Sequence, residues 1–342
     1  MKLFYKILFV LLFIKTQAQV GGNSVFSFLN VPVPARTAAL GGNSIGLKDD
    51  DVSLILQNPS AINGSMNNKF QMSYINYIAD INFFNLQYCK SIDSIGHFGV
   101  SLQNVNYGNF VERDEYGTEK GTFSANDNQL NLTYGKELDS MLSWGVNVKT
   151  IYSKLYTFSS LGNAIDAGLT WKSKRRDFAI ALVMNDLGIQ WKTYSGNLKE
   201  IINPYFNLGI SKKLAKAPLR FLMNYERLNK WDLTYANPNN PSPTVDQFTG
   251  EEIKTSKFKT FSDKLFRHIS VGAEISPGKN FNLRLGYNFR RRKEMQLPDS
   301  GGITGFSFGF GIKISKLIFN YAFSKYHAAG NVNHISVVFK IK

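Results

Sequence analysis

The sequence predicts an all-β fold, a transmembrane antiparallel β-barrel of about 14 strands. Three observations predict it: segments in which apolar and polar positions alternate, connections that are tight at one end of the strands and mostly long at the other, and a secretory leader. Lipid offers no hydrogen-bond partner to backbone amides, so a sheet that spans a bilayer must close on itself. A soluble sandwich or barrel with an aromatic core is the alternative.

The chain begins with the features of a secretory signal peptide. Lys2 and Lys6 precede the apolar run Ile7–Ile14, and Thr16–Ala18 places small residues at a cleavage site. The apolar run is too short to cross a bilayer as a helix. We therefore expect residues 1–18 to be removed on export; a short buried helix is the alternative.

Composition narrows the class further. Among 342 residues there are 27 Phe, 16 Tyr and 4 Trp, and only 19% are charged. That profile excludes a disordered chain, and no apolar stretch reaches the length of a membrane-spanning helix. The formal charge is +15, which suits lipid phosphate or an acidic glycan. Export makes nucleic acid an implausible partner, and the single Cys89 forbids an internal disulfide.

The alternation has the two-residue period of a strand. In Asp127–Leu138, Leu130 and Leu132 face one way while Asn131 and Thr133 face the other. The same pattern predicts fourteen strands, at Lys69–Ala79, Phe83–Ser91, Gly96–Asn106, Asp127–Leu138, Leu142–Tyr156, Gly162–Ser173, Asp177–Leu187, Pro204–Leu214, Leu219–Leu228, Phe266–Ser276, Asn280–Arg291, Ile303–Ile314, Leu317–Tyr326 and His334–Ile341.

The connections alternate in length. Six are tight turns, at Ile92–Ile95, Asp139–Met141, Lys174–Arg176, Ala215–Pro218, Pro277–Lys279 and Ser315–Lys316. Those at the other end are mostly longer, as in Tyr107–Asn126 and Asn229–Leu265. This asymmetry is typical of periplasmic turns and extracellular loops. Candidates for the interfacial aromatic girdles are Tyr74, Tyr77, Trp144, Tyr152, Trp171, Tyr287, Tyr321 and Tyr326.

Residues 19–68 lack this alternation and precede the barrel, which we assign to residues 69–342. Asp51 can cap a short helix with Val52 and Ile55 on one side, and Pro59 would end it. Such a segment can fold inside the barrel as a plug or hatch; a periplasmic linker with one helical turn is the alternative. The residues that define this motif are Gly41, Gly42, Asp49, Asp50, Asp51, Asn58 and Pro59.

These motifs resemble those of the FadL-type outer-membrane barrels and their Bacteroidota relatives PorV and PorQ. The stretch Ala35–Gly42, the acidic run Asp49–Asp51 and then Gln57–Ala61 precede a fourteen-strand pattern, as in that family. The opening Gly21–Arg36 is most similar to PorQ-type barrels of the type IX secretion system. The resemblance covers essentially the whole mature chain, although Ser60 departs from the usual Asn-Pro-Ala.

The resemblance implies a non-enzymatic structural anchor in the outer membrane of a Bacteroidota-like cell. Such barrels hold a PorZ-like surface protein through extracellular loops, beside PorV and PorU, in a complex that links cargo to lipopolysaccharide. No cofactor is implied. The alternative function is a FadL-like channel for hydrophobic or small solutes, with the N-terminal segment as its hatch.

Reactive groups do not cluster in the sequence. The four histidines, at positions 97, 268, 327 and 334, have no metal ligand at ligand spacing. Gly305–Gly309 carries the letters of a nucleophile elbow, but inside an alternating strand rather than a strand-to-helix turn. The pair Glu251–Glu252 lies in the longest predicted loop, where solvated charge is the usual explanation. We therefore predict no catalytic residue and no metal site.

Two predicted loops carry candidate binding residues. A basic cluster at the base of one could contact lipopolysaccharide phosphates; its residues are Arg290, Arg291, Arg292 and Lys293. Loop 229–265 is long, stiffened by proline and rich in apolar residues, which favours partner binding. Its candidate residues are Pro238, Pro241, Pro243, Phe248, Phe258 and Phe261. The alternatives are a solvated loop base and simple packing over the barrel mouth.

Overall fold

A computed structural model describes residues 25–175, 177–196, 199–234, 256–295, 302–327 and 330–341. The predicted signal peptide lies outside the described residues. Fourteen long strands in these ranges form the wall: β1 Lys69–Asn76, β2 Asn82–Ile92, β3 Gly96–Arg113, β4 Glu119–Glu137, β5 Leu142–Leu155, β6 Phe158–Lys172, β7 Phe178–Lys192, β8 Tyr205–Lys213, β9 Leu219–Tyr225, β10 Ile269–Ile275, β11 Phe281–Asn288, β12 Phe306–Ile314, β13 Leu317–His327 and β14 Gly330–Lys340.

The sheet is antiparallel and closed. Each strand pairs with the next in the chain, and β1 pairs with β14 through register partners that run from Lys69 with Lys340 to Asn76 with Asn333. A two-residue strand, Ile201–Ile202, adds to β7 before β8 begins. Among the described residues, closure leaves none of the fourteen long strands with a free edge, as a membrane-spanning sheet requires. The prediction of an antiparallel barrel of fourteen strands is confirmed.

The barrel is polar inside and apolar outside. On β4, Asn131 is 0% exposed and faces the lumen, whereas its neighbour Leu132 is 52% exposed and faces outward. On β12, Ser307 is buried while Phe306 and Phe308 are exposed. This inverts the pattern of a soluble barrel and matches a wall in contact with lipid. The predicted faces of these two strands are confirmed.

Two of the predicted girdle aromatics face the lumen instead. Tyr74, Tyr152 and Trp171 are exposed on the outer surface, but Tyr326 is 7% exposed and lies against Tyr77, with 5.4 Å between the ring centroids. Both residues continue the inward-facing set of their strands: Tyr77 follows Ser73 and Ile75 at two-residue spacing, and Tyr326 follows Ala322 and Ser324. Their assignment to the outer girdle was wrong.

The two ends of the barrel differ as predicted, but several strands at the end with the longer connections extend further than the sequence predicts. β3 and β4 continue as a hairpin to Arg113 and from Glu119, where the sequence predicts a loop. Asn, Gly and charged residues at these positions hide the alternation. We call the end that carries this hairpin the long-loop end and the opposite one the short-turn end.

The helices are short. They are α1 Ala35–Ala39, α2 Lys257–Phe266 and α3 Phe289–Met295, with 3₁₀ turns at Ser27–Asn30, Val52–Leu56, Pro59–Ala61, Gly64–Met66 and Ile78–Asp80. None of the helices in the described ranges is long and apolar enough to cross a membrane. α2 and α3 belong to connections at the long-loop end, while α1 and four of the 3₁₀ turns precede β1.

Candidate functional site: a plugged lumen

Residues 25–68, here called the plug, lie inside the barrel and pack against its inner wall in two apolar layers. The upper cluster, at the long-loop end, joins Phe26, Phe28 and Val33 of the plug to wall residues that include Ile75, Phe83, Val105 and Ile151. The lower cluster, toward the short-turn end, joins Leu40, Leu47, Val52, Leu54, Ile55, Ala61, Ile62 and Met66 of the plug to Cys89 and Leu222. Apolar packing between plug and wall therefore occupies the lumen at two levels.

The plug owes its tight path to side-chain caps. Asp51 accepts a hydrogen bond from the Ser53 amide at 2.9 Å and starts the turn Val52–Leu56. Asn58 does the same for Ser60 at 3.0 Å, with Pro59 at the first position of the next turn. Aspartate and asparagine are favoured at such caps because their side-chain oxygens satisfy free amides. Pro59 begins a turn here, while the preceding helix ends at Leu56.

A buried ionic network ties the plug to the wall. The Arg36 guanidinium lies 2.8 Å from Asp49, 3.1 Å from Asp51 and 3.0 Å from Glu274 on β10. From the wall, Arg220 reaches Asp49 at 2.6 Å. Arg284 extends the network by binding Glu274 at 2.8 Å. Three guanidiniums thus balance three carboxylates, so the network is neutral and each buried charge has a partner.

The three aspartates of the acidic run Asp49–Asp51 do not all make the same kind of contact. Although burial opposes ionisation, the guanidiniums of Arg36 and Arg220 hold the pKa of Asp49 well below its ordinary value. Asp50 points the other way and pairs with Lys69 at 2.5 Å, with its own side chain exposed. Asp49 and Asp51 therefore belong to the buried network, whereas Asp50 makes a contact near the rim of the barrel.

Glycines allow the plug backbone to touch the wall backbone. Gly41 and Gly42 have φ angles of +90° and +93°, which few other residues adopt without strain. A Cβ placed on Gly286 of β11 would overlap the Gly41 nitrogen. On β8, a Cβ on Gly209 would overlap the Gly46 nitrogen. No side chain fits between plug and wall at either point.

Asn58 and Pro59 fix the plug to β6 and β5. The Asn58 amide donates to the Ile45 carbonyl at 2.9 Å and to the Thr170 hydroxyl at 3.0 Å. Pro59 lies directly over Gly145, where a Cβ would overlap the Pro59 carbonyl group. The structure thus brings the seven motif residues of the sequence together along one continuous plug, with Asp50 at its edge.

A cavity of about 220 Å³ lies in the lumen between the upper and lower clusters. The plug contributes Leu29–Pro34 from above and Gly42, Asn43 and Gln57 from below. At the long-loop end the lining includes Asn30 and Met295, which are exposed, so the cavity reaches the surface there.

The charged residues that line the cavity already have partners. Lys149 lies 2.8 Å from Asp166 and 2.6 Å from Asp186. Arg227 donates to Asn30 at 3.0 Å and stands over the Tyr205 ring, 4.6 Å from its centroid. These groups are therefore parts of the wall, with little capacity left for a charged ligand.

The four predicted lipopolysaccharide contacts all lie in α3. Arg291 is buried and stands over the Tyr326 ring, 3.9 Å from its centroid, so its placement argues against a lipid contact. Arg290 lies 3.6 Å from Glu294, Lys293 lies 2.9 Å from Asp263, and Arg292 donates to the Gly302 carbonyl. For these three residues the contact stays a prediction.

Only part of the predicted partner-binding loop belongs to the described residues. Pro238, Pro241, Pro243 and Phe248 lie outside the described residues. Phe258 and Phe261 lie on α2, where Phe258 is 78% exposed and Phe261 packs on Trp231 with 5.3 Å between ring centroids. An exposed aromatic pair thus stands beside the barrel mouth.

Ser307 occupies the nucleophile position in the letters of Gly305–Gly309. It faces the lumen and lies 3.3 Å from the Arg291 guanidinium, inside β12 and with no helix following it. In the described ranges, no group of three or more His, Cys, Asp or Glu side chains could hold a metal ion.

Sequence reasoning missed the residues that hold the plug and line the cavity. Arg36 binds Glu274, which is 238 positions away, and no local pattern marks such a pair. Gln103 and Gln129 line the cavity from β3 and β4. The alternation pattern could have identified these two residues, because both occupy inward positions of alternating strands, where a polar side chain faces the lumen.

No family model matches the sequence, and no curated protein matches it. Solved structures do match. The Pseudomonas putida toluene transporter TodX is 12% identical, with 91% of this chain and 99% of that chain covered and a TM-score of 0.53. A deltaS2 mutant of the TodX monoaromatic hydrocarbon channel is 11% identical, with 90% and 98% covered and a TM-score of 0.52. A Pseudomonas aeruginosa FadL homologue is 10% identical, with 91% and 98% covered and a TM-score of 0.48.

At these identities the likeness concerns the fold. The chain is an outer-membrane type of β-barrel, with fourteen antiparallel strands and a FadL-like architecture. The names of the neighbours with a TM-score above 0.5 describe a toluene transporter and a monoaromatic hydrocarbon channel.

Proposed function

We propose that the protein is an outer-membrane channel that admits a small solute to its lumen, with the plug as the gate. The observation that carries the proposal is the 220 Å³ cavity, which reaches the surface at the long-loop end and has no residue of the lower cluster in its lining. Long loops face the cell exterior in barrels of this kind, so the cavity opens outward. The structural neighbours include a toluene transporter of the same fold.

Passage to the periplasm requires the lower cluster to separate. That layer is held by side-chain packing and by the Arg36 network, with no strand of the wall passing through it. A solute can therefore cross once the plug moves, and the backbone hydrogen bonds between the wall strands stay intact. The plug is the part of the molecule on which gating depends.

The test is to reconstitute the purified barrel in planar bilayers and in proteoliposomes. The intact protein should show little ionic conductance but measurable solute influx, because the plug opens only transiently. Deletion of Gly21–Ala61 should produce large, permanent conductance, since the lumen loses both apolar layers. A matched control removes Glu115–Gly117 from the exposed tip of the β3–β4 hairpin and should conduct like the intact protein.

Two results would contradict the channel. The intact barrel could carry no solute, or the plug deletion could fold and stay closed. Folding of each variant is checked by its shift on an unboiled detergent gel, so a closed pore can be told from a missing barrel.

A structural anchor of the type IX attachment complex is the second candidate, favoured by the way the plug is fixed. A neutral buried network and two backbone contacts at glycine suit a lumen that is never opened. In this role the barrel, of the PorQ type, would hold a PorZ-like surface protein beside PorV and PorU. The exposed Phe258 at the mouth gives such a partner an apolar contact, and lipopolysaccharide phosphates could bind Arg290, Arg292 and Lys293.

An affinity pull-down separates the two candidates. Intact protein solubilised from outer membrane is compared with a variant that lacks Pro238–Phe261, and bound proteins are identified by mass spectrometry. A PorZ-like protein that is recovered only with the intact loop supports the anchor. Solute influx through a barrel that recovers no partner supports the channel.

A further inference from the structure

Two amide side chains in the wall of the cavity have no partner in the described part of the protein. Gln103 on β3 and Gln129 on β4 are direct cross-strand neighbours, and both point into the lumen and line the cavity. Among the described residues, neither side chain makes a hydrogen bond to another protein group. Each offers two donors and a carbonyl acceptor to whatever occupies the cavity.

More unpaired amide atoms lie immediately below them. On β4, Asn131 is 0% exposed, and both its oxygen and its nitrogen lack a partner in the described chain. On β1 and β2, Gln71 and Gln87 are cross-strand neighbours whose carbonyl oxygens are buried and unpaired among the same residues. We call Gln71, Gln87, Gln103, Gln129 and Asn131 the amide belt.

Such atoms constrain what can bind. A buried polar atom without a partner is unfavourable, so the belt favours water or a ligand that can both donate and accept hydrogen bonds. A hydrocarbon in the cavity would leave the amides of Gln103 and Gln129 dry and unpaired. Sites built to bind hydroxyl groups reject analogues that lack them.

The charge of the lining and the size of the cavity narrow the class of ligand further. The lysine and arginines of the lining are already held by carboxylates, aromatic rings or Asn30, so the free groups are neutral. The cavity volume of about 220 Å³ exceeds that of an engineered cavity of roughly 150 Å³ that holds benzene. A six-membered ring therefore fits, and the lining suits a ring that carries hydroxyl groups.

We infer that the cavity binds a small uncharged polyhydroxyl molecule, of the size of a monosaccharide, through the free amides of Gln103 and Gln129. This inference rests on the proposed channel function, which supplies the route to the cavity. It names a substrate class that differs from the hydrocarbons in the names of the structural neighbours.

The test uses glucose and toluene as probes, titrated into the intact detergent-solubilised barrel by calorimetry. Wild-type protein should bind glucose in preference to toluene. The double variant Gln103→Leu/Gln129→Leu keeps the volume but removes both amides, and should bind glucose at least about tenfold more weakly. The matched control is Asn104→Leu/Asn128→Leu, which removes two amides from the same strands on the outer face and should bind as wild type.

The inference is overturned if toluene binds and glucose does not, or if the Gln103→Leu/Gln129→Leu protein binds glucose like wild type. Should that variant fail to fold on the gel assay, the single variant Gln129→Met takes its place, with the same expectation of weaker binding. Glucose influx into proteoliposomes is measured in parallel. Binding without influx would refute the channel and leave the site standing, whereas toluene influx without glucose binding would refute the site and leave the channel.

Discussion

Arg36 is the residue through which most of the plug's ionic contacts pass. It is 7% exposed and contacts two carboxylates of the plug and one of the wall. Replacement by methionine keeps the packing volume but leaves three buried carboxylates with two guanidiniums. Removing one member of a buried ion pair costs about 3–5 kcal/mol, so Arg36→Met should loosen the plug.

The measurement for Arg36→Met is the rate of chymotrypsin cleavage within the plug, followed by mass spectrometry, and we expect faster cleavage than in wild type. Arg113→Met is the control, because Arg113 pairs with Glu119 on the exposed hairpin with more than half of each side chain in solvent. Surface pairs contribute at most about 1 kcal/mol, so this variant should be cleaved like wild type. Equal rates for Arg36→Met and wild type would show that the network does not hold the plug.

Asp49 gives the network a defined dependence on pH. Its folded pKa is held below the ordinary value by Arg36 and Arg220, so its contribution to stability is fully present above the unfolded pKa, roughly 3.9. The contribution is lost as the pH falls below that value toward the folded pKa. Bilayer conductance should therefore stay low from pH 8 to 5 and rise only below about pH 4. Opening between pH 7 and 5 would point to another group.

At the scale of elements, the contact between plug and β11 is set by Gly286. A Cβ there would overlap three backbone atoms of the plug, and backbone cannot move aside as a side chain does. Overpacking of this kind costs about 1–3 kcal/mol or more. We expect Gly286→Ala to fold as a barrel with a displaced plug and higher conductance.

Gly278→Ala provides the comparison for Gly286→Ala. It adds the same methyl group in a turn where nothing lies within 4 Å, and it should leave conductance unchanged. If both variants conduct like wild type, the plug accommodates the methyl group without opening the lumen, and the prediction for Gly286→Ala is wrong.

Strands are predictable from sequence where one face meets lipid and the other meets a polar lumen. The two-residue period of β4 and β12 follows directly from that contrast, and so does the inward position of Asn131 and Ser307. Where both faces meet water, as in the hairpin that runs to Arg113, the contrast disappears and the sequence predicts a loop. The predicted positions of Tyr77 and Tyr326 are wrong because residue type alone does not tell an inner from an outer aromatic residue.

The candidate site is less predictable than the strands. Caps such as Asp51 and Asn58 act within three residues and leave a local signal. The partners of the plug in the wall are far away in sequence: Glu274 for Arg36, Thr170 for Asn58. Only the closed barrel brings these pairs together, so no spacing rule could have assigned them.

For the whole molecule, closure of the sheet predicts a property in detergent. A barrel without a free edge resists unfolding by detergent at room temperature, because no strand can peel away from an end. Unboiled protein should migrate differently from boiled protein on a denaturing gel. A sample with no such shift would contradict the closed barrel, and a shift that persists in the plug deletion would show that the wall is stable without its contents.

The seam between β1 and β14 has a consequence for biogenesis. It joins Lys69 to Lys340, so the ring is complete only after nearly the whole chain is available. The plug is exported before any strand, yet Glu274 and Gly286, which fix it, are among the last residues to arrive. Contacts so distant in sequence form slowly, and unpaired edges invite aggregation in the meantime. Assembly, rather than the stability of the finished ring, is therefore the stage at which this chain depends most on protection by other factors.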